Sequence, residues 1–428
     1  MSATGRPVAG SRGMEARVKS VFVVIAAIVA CGLPALSAAP AGALTTVPDL
    51  DYHYDPPADT STLDRLDLYL PDGAQPGDLR PVVIYVHGGA WMTGDKSNKM
   101  ADKPRLFTDA GYIFVSVNYR LSPDISSGPL PPSFAAGRVM FPDHPRDVGE
   151  SIAWLARNIG GYGGDPDALL LMGHSSGAHL VSLVGSDPAY LEAFGASLKQ
   201  VSGVVSLDSG AMDVADSAAQ RGAQPTANNY VIWNAFGTPA EEAATPRWVR
   251  ASPVTWGDPS DPRSLMITQS SRVPRIIDNQ KMAAALGQDP SSVLTVPLDH
   301  EGINDELGSP ADSTGETAAV MSFVAGRIAA RPEPSLRIGK RPAKVVKIGR
   351  RQKKRKVVFA FTATGTDRVE CRIDRGAFRV CASPRRFTLA RGRHTFRVRA
   401  LYPSGRTGAE KTVTFRVKTK PRKVSRRG

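Results

Sequence analysis

The chain has 428 residues, 42% of them hydrophobic and 22% charged, a balance that excludes a wholly disordered polypeptide at a length beyond what one hydrophobic core organises. Its formal net charge of +14 is unevenly placed: residues 331–428 carry 31 lysines and arginines against five acids, while residues 1–330 sum to −12. An acidic body joined to a basic tail points to separate jobs for the two, and the field of the tail favours anionic polymers, lipids or surfaces.

In chain order, the first signal is an apolar run over 21–36, preceded by Arg17 and Lys19 and followed by Ala41, Gly42 and Ala43. It is short for a membrane span and predicts a secretory signal over 1–43, cleaved before Leu44. Cys31, preceded by Ile28, Val29 and Ala30, also resembles a bacterial lipoprotein cleavage site, which makes a lipid anchor in the cell envelope the alternative destination.

Leu66, Leu68 and Leu70 alternate with Asp67 and Tyr69 ahead of Pro71, predicting a half-buried strand over 63–70. Nearly continuous apolar runs over 81–86 and 112–117 predict strands buried on both faces of a sheet. Between them 104–110 reads as a short helix, with Pro104 in its first turn and Gly111 at its end. Another helix at 147–158 is closed by Gly160 and Gly161. Strands follow at 169–172, 201–207, 265–268 and 292–297, with helices at 177–184 and 317–330. This alternation predicts a doubly wound, mostly parallel α/β sheet over 44–330. The segments 122–140 and 211–262, the latter with Trp233, Phe236, Trp248 and Trp256, are expected as insertions above the sheet that shape substrate access.

Residues 331–356 lose periodicity, gain proline and basic residues, and read as a linker. From Val357 apolar and polar residues alternate, and turn signals at 391–392 and 403–405 predict a small all-β sandwich over 357–420, with 421–428 a basic tail. Cys371 and Cys381 are the even pair left once the signal is removed, and in an exported protein they are expected to form a disulfide.

The chemistry-bearing residues start with Gly173, His174, Ser175, Ser176 and Gly177, a G-x-S-x-G turn between a buried strand and a helix. The glycines let the chain bend sharply enough to hold the Ser175 hydroxyl clear, as a nucleophile at the strand's carboxyl end. His87, Gly88, Gly89, Ala90 and Trp91 follow the strand at 81–86, where an oxyanion-binding loop belongs. The amides of Gly89, Ala90 and Ser176 would stabilise a developing oxyanion, an effect of about 3 kcal/mol per donor. The base must follow the nucleophile in this fold's chain order, which selects His300; the later His394 belongs to the basic domain. His53, His144 and His179 read as structural or surface residues, and His174 sits too close to Ser175 along the chain to reach its hydroxyl easily.

Residues 87–91 with Gly94, Asp95 and Lys96, then 118–123, then 173–180 together resemble the carboxylesterase branch of the α/β-hydrolases. That branch includes hormone-sensitive-lipase-like esterases, feruloyl-esterase-like enzymes and kynurenine formamidases, and the resemblance covers about 63–330. It implies an α/β-hydrolase fold, with Ser175, His300 and the amides of Gly89, Ala90 and Ser176 in the roles just given. One departure concerns the acid, which in the family usually follows the strand that here is 265–268; this chain has Gln269, Ser270, Ser271 and Arg272 instead. A carboxylate is still wanted to hold the tautomer of His300. Asp208, at the end of the strand at 201–207, is the first choice, Asp278 the second and Asp299 the third. The C-terminal domain resembles the small immunoglobulin-like modules of exported bacterial proteins, on Cys371, Cys381 and 392–400.

These readings lead to the expectation of a serine hydrolase acting on carboxylic esters through an acyl-enzyme, with no metal and no organic cofactor. Amide or formamide hydrolysis is the nearest enzymatic alternative. A binding protein that keeps the scaffold without turnover is the alternative of a different class. The expected partners are a small-molecule ester and, through the basic domain, an anionic cell-envelope polymer; no sequence-reading nucleic-acid motif is present.

Overall fold

A computed structural model describes residues 44–421, apart from 54–61, 128, 130–132, 223 and 225. The secretory signal, Cys31 and nearly all of the basic tail therefore lie outside the described residues. Among the described residues no helix is long and apolar enough to cross a membrane.

The first sheet has eight strands: β1 (Thr45–Asp51), β2 (Arg65–Leu70), β3 (Arg80–Val86), β4 (Ile113–Val117), β5 (Gly164–His174), β6 (Val201–Leu207), β7 (Ser264–Gln269) and β8 (Leu294–Val296). Their spatial order is β1-β2-β4-β3-β5-β6-β7-β8. The β1–β2 and β2–β4 pairs are antiparallel, and every pair from β4 to β8 is parallel. The apolar runs explain the centre: β4 and β6 are buried at every position, as a sheet covered on both faces requires. Alternation along β3 sends Val82, Ile84 and Val86 into one core with Val148, Ile152 and Leu180, and Val83 and Tyr85 into the other with Phe107, Val320 and Val324.

Four elements depart from the sequence expectation. β1 was not foreseen because Pro48 with Thr45, Thr46, Asp49 and Asp51 around it obscures the pattern, which an edge strand tolerates. β5 starts five residues before the expected 169, since Asp165 and Asp167 break the apolar run although both are buried. The segment 331–356 is not a bare linker: β9 (Ser335–Lys340) and β10 (Val345–Ile348) form within it. Leu336 and Ile348 are the buried anchors of these strands, and basic outward positions hid the alternation.

The C-terminal domain is all-β. With β11 (Lys354–Thr364), β12 (Val369–Ile373), β13 (Arg379–Val380), β14 (Arg385–Ala390), β15 (Gly392–Leu401) and β16 (Thr407–Thr419), it forms a sheet ordered β10-β16-β15-β12-β13 and another ordered β14-β11-β9. Phe359 and Phe396 stack between the sheets with centroids 3.9 Å apart, and Cys371 and Cys381 form a disulfide beside the β12–β13 pair. The domain docks on the first through polar contacts. Arg331 Nη1 lies 2.6 Å from Asp165 Oδ2, and Ser404 donates through N and Oγ to Asp167 at 2.8 and 2.6 Å.

Register sets up the functional edge. Val86 pairs with Gly173, His174 with Leu207, Leu207 with Ile267 and Gln269 with Val296. The carboxyl ends of β3, β5, β6, β7 and β8 thus lie in one line, and the loops leaving them converge there.

Candidate active site

β5 delivers Ser175 directly into the helix Ser176–Val184, and the backbone turns so sharply that Ser175 takes φ 55°, ψ −117°. A non-glycine residue in that region is strained. The strain persists because the turn is over-determined: Ser175 N donates to Leu207 O at 2.9 Å, and Ser175 O accepts from His179 N at 3.1 Å. Gly177 allows the close approach, since a Cβ there would come within 2.1 Å of the Val86 carbonyl oxygen.

His300 opens the short helix His300–Asp305 after β8. Its Nε2 lies 2.9 Å from Ser175 Oγ and its Nδ1 lies 2.6 Å from Asp208 Oδ2. Asp208 follows β6 with φ 54°, a conformation that aspartate adopts more readily than most residues. It is fully buried. Its Oδ1 accepts from Thr268 Oγ1 at 2.6 Å and Gln269 N at 3.1 Å, its Oδ2 accepts from Gln269 Nε2 at 2.7 Å, and Arg275 Nη1 pairs with the same oxygen. Burial pushes this carboxyl up, but the hydrogen bonds from His300, Thr268 and Gln269 and the charge of Arg275 outweigh it, so its pKa falls well below the ordinary carboxylate value.

The other two acid candidates serve different ends. Asp278 accepts from the amides of Met212 and Asp213 at 2.7 and 3.1 Å, and burial raises its pKa to about 6. Asp299 caps the helix of His300, accepting from Gly302 N at 2.7 Å. Gln269, standing where the resemblance places the acid, donates twice to the Asp208 carboxylate that follows β6.

The glycine loop after β3 runs through Gly89 (φ 120°), Ala90 (φ 53°) and Trp91 (φ 61°), closed by Met92 N and Thr93 N donating to Gly89 O at 3.1 and 2.9 Å. Only glycine fits its first position, because a Cβ on Gly89 would reach 2.0 Å from Thr93 O. The N–H groups of Gly89, Ala90 and Ser176 make no hydrogen bond to a backbone acceptor among the described residues. Gly88, Gly89, Ala90, Ser175 and His300 line a cavity of about 490 Å³, together with Tyr85, Asn98, Lys99, Glu301 and Asn304.

None of the described residues of 122–140 and 211–262 lines that cavity. They pack on each other instead. Arg138 forms a double ion pair with Glu241, both bonds 2.8 Å, and donates to the carbonyls of Trp233 and Asn234. Phe236 in turn packs edge-on against Trp91 at 4.8 Å. Their role here is to support the glycine loop from behind.

Two residues of the site were not foreseen in these roles. Arg275, on the helix Val273–Ala285, contacts Asp208 and approaches His300 Nδ1 at 2.6 Å; nothing in the sequence ties an arginine 67 residues beyond Asp208 to it. His174 does not approach the Ser175 hydroxyl, yet its Nε2 donates to the His300 backbone carbonyl at 2.8 Å and its ring lies 4.6 Å from that of His300. Burial and the neighbouring His300 lower its pKa to about 3, so it is neutral. His179, beneath the loop, contacts Trp91 Nε1 and Ala251 O, and His394 pairs with Asp374 in the C-terminal domain.

A parallel sheet wound in this order, with its serine on the bend after the central strand and loops from four neighbouring strands meeting it, defines an α/β-hydrolase. The BD-FAE family model matches residues 66–281, from β2 into the helix that carries Arg275, which is half of the chain. The chain belongs to that family. Over 132 residues it is 36% identical to Esterase LipQ of Mycobacterium tuberculosis, a match covering 30% of this chain and 28% of that protein. Over 108 residues it is 37% identical to the probable carboxylic ester hydrolase LipM of the same organism, covering 25% and 22%. The matched stretches thus span less than a third of these relatives. A truncated carbohydrate esterase from gut microbiota superposes with a TM-score of 0.50 and 20% identity, over 67% of this chain and 96% of that one, a likeness of fold.

Proposed function

We propose that this chain is an exported serine hydrolase that cleaves carboxylic esters. The observation that carries the reading is the hydrogen-bonded chain from Ser175 Oγ through the His300 imidazole to Asp208, at 2.9 and 2.6 Å. In the proposed reaction His300 Nε2 takes the Ser175 proton as Oγ attacks the ester carbonyl, and the amides of Gly89, Ala90 and Ser176 hold the oxyanion. His300 then returns the proton to the departing alkoxide, leaving an acyl-Ser175; water, activated by the same imidazole, releases the acid and restores the serine. Asp208 stays anionic throughout, because its surroundings favour the charged form, and it fixes the proton of neutral His300 on Nδ1. The names of the relatives support ester cleavage, and the apolar run at 21–36 supports export.

A fluorophosphonate probe tests the chemistry. Labelling of the wild type together with hydrolysis of short-chain p-nitrophenyl esters is expected, with both lost in Ser175→Ala. A folded wild type that takes up no label would refute the reading in favour of a non-catalytic scaffold.

A further inference from the structure

The outward face of the β10-β16-β15-β12-β13 sheet has a composition that folding alone does not explain. Pleat alternation buries His394, Phe396 and Val398 of β15 and Val413, Phe415 and Val417 of β16. The intervening residues therefore point outward. Register then sets like charges opposite each other in neighbouring strands: Arg393 faces Arg416, Arg372 faces Arg397, and Lys347 faces Lys418. Directly opposed like charges destabilise a sheet, and this domain has three such pairs on one face.

Two of the acids, Glu370 and Glu410, lie at one end, while Asp374 at the other end is taken up by His394 at 2.8 Å and Thr395 N at 2.9 Å. Glu370 pairs with Arg399 at 2.7 Å and Arg368 at 3.4 Å, and Glu410 with Arg397 at 3.4 Å. At the other end Lys347, Arg393, Arg416 and Lys418 are all exposed, and among the described residues no ion pair joins them to an acid. The two ends also differ in position. The turn after β15 carries Ser404 and Arg406, which dock on Asp165 and Asp167 of the hydrolase body. Arg393 lies eight residues earlier on the same strand than Leu401, about 27 Å away along an extended chain. The unpaired charges thus sit at the end of the domain pointing away from the body, and Arg422, Lys423, Arg426 and Arg427 follow β16 directly in the sequence.

We propose that Lys347, Arg393, Arg416 and Lys418 form a binding face for a linear anionic polysaccharide, which holds the enzyme on a polymer while the hydrolase body stays free. The four cations lie on the adjacent strands β10, β16 and β15, which as neighbours in a sheet stand about 4.8 Å apart. Thr395 and Thr414 are among their outward neighbours, and the ring of Phe378, just before β13, is covered by Arg372 and Arg399 at 4.5 and 4.1 Å, so it is not a bare ring on which nucleic-acid bases would stack, and charge is the recognised feature.

The test uses the mature full-length chain in affinity electrophoresis through polygalacturonate. Retardation is expected at low salt and is expected to fall away in about 0.3 M NaCl, where the screening length is about 6 Å. Replacing Lys347, Arg393, Arg416 and Lys418 together by glutamine is expected to weaken binding at least about tenfold. The same number of charges removed from the other sheet, at Lys354, Arg355, Arg385 and Arg386, is expected to leave binding within about twofold. Both variants should keep the wild-type kcat/KM on a small ester, and Ser175→Ala should keep wild-type polymer binding, so this inference and the catalytic reading fail separately. Equal loss in the two charge variants, binding indifferent to salt, or tighter binding to a single-stranded oligonucleotide or to phosphatidylserine vesicles would each overturn the proposal.

Discussion

At Asp208 two opposing effects meet, and their balance makes a mutation informative. The carboxyl is fully buried, which disfavours its charge, yet it receives bonds from Thr268, Gln269 and His300 and lies against Arg275. Asparagine has the same shape and tolerates the left-handed backbone at this position, so Asp208→Asn is expected to keep the fold while turning the His300 tautomer the wrong way. In the proposed reaction kcat should fall by about three to four orders of magnitude, measured on p-nitrophenyl acetate with a thermal melt as control. Wild-type kcat would remove Asp208 from the mechanism. His174 acts one step further back. Its neutral ring donates to the carbonyl of His300, so the residue just before Ser175 holds the main chain of His300, the base of the proposed reaction. Phenylalanine fills the same space without the donor. His174→Phe is expected to lower kcat about fivefold, the scale of one hydrogen bond of about 1 kcal/mol, with KM nearly unchanged. An equal loss through KM alone would mean that His174 shapes substrate binding and not the base.

At the scale of elements, the closing helix Glu316–Ala329 brings a carboxyl into the core. Glu316 is fully buried and neither of its oxygens has a hydrogen-bond partner among the described residues. Burial raises its pKa to about 8, with the neighbouring charge of Asp312 adding to the effect. The folded protein thus holds a proton that the unfolded chain gives up near 4.5, and stability contributed by that proton is lost as pH climbs from there towards 8. Glu316→Gln removes the titration. Relative to the wild type, it is expected to gain about 1–3 kcal/mol at pH 8 and nothing near pH 4.5, read from urea melts across that range. A constant difference between the two proteins at all pH values would show that Glu316 does not titrate on unfolding. Much of this body was legible in the sequence, because its central strands are apolar on both faces and its helices end in glycine. β4, β6 and the helix after Ser175 stand within a residue or so of their expected bounds. The missed elements share one cause. β1, the start of β5, β9 and β10 all carry polar or charged residues whose burial or pairing is set by distant chain, which no local period records. The same holds at the site, where Ser175, Asp208 and His300 follow strand ends and are readable, whereas Arg275 reaches them only through the packing of its helix.

For the whole molecule the decisive question is whether the two domains melt as one. Their described contacts are ionic and polar: Asp165, 2% exposed, accepts from Arg331 at 2.6 Å and lies 3.4 Å from Arg406, while Asp167 takes both donors of Ser404. Both aspartates belong to the first residues of β5, and Ser175 stands past its other end, about 30 Å away along the strand. The rigid strand separates docking from chemistry. Asp165→Asn keeps the shape but leaves Arg331 and Arg406 beside an uncharged amide, a loss of about 1–3 kcal/mol once partial exposure of the arginines is discounted from the larger value of a buried pair. Because the all-β domain has its own core around Phe359 and Phe396, weakening the contact should uncouple it. Calorimetry is expected to show one transition for the wild type and two for Asp165→Asn, while kcat/KM of the variant on a small ester stays at the wild-type value below the first of them. A single transition at an unchanged Tm would mean that apolar contacts elsewhere join the domains, and a fall in kcat/KM at low temperature would mean that β5 transmits the docking to Ser175.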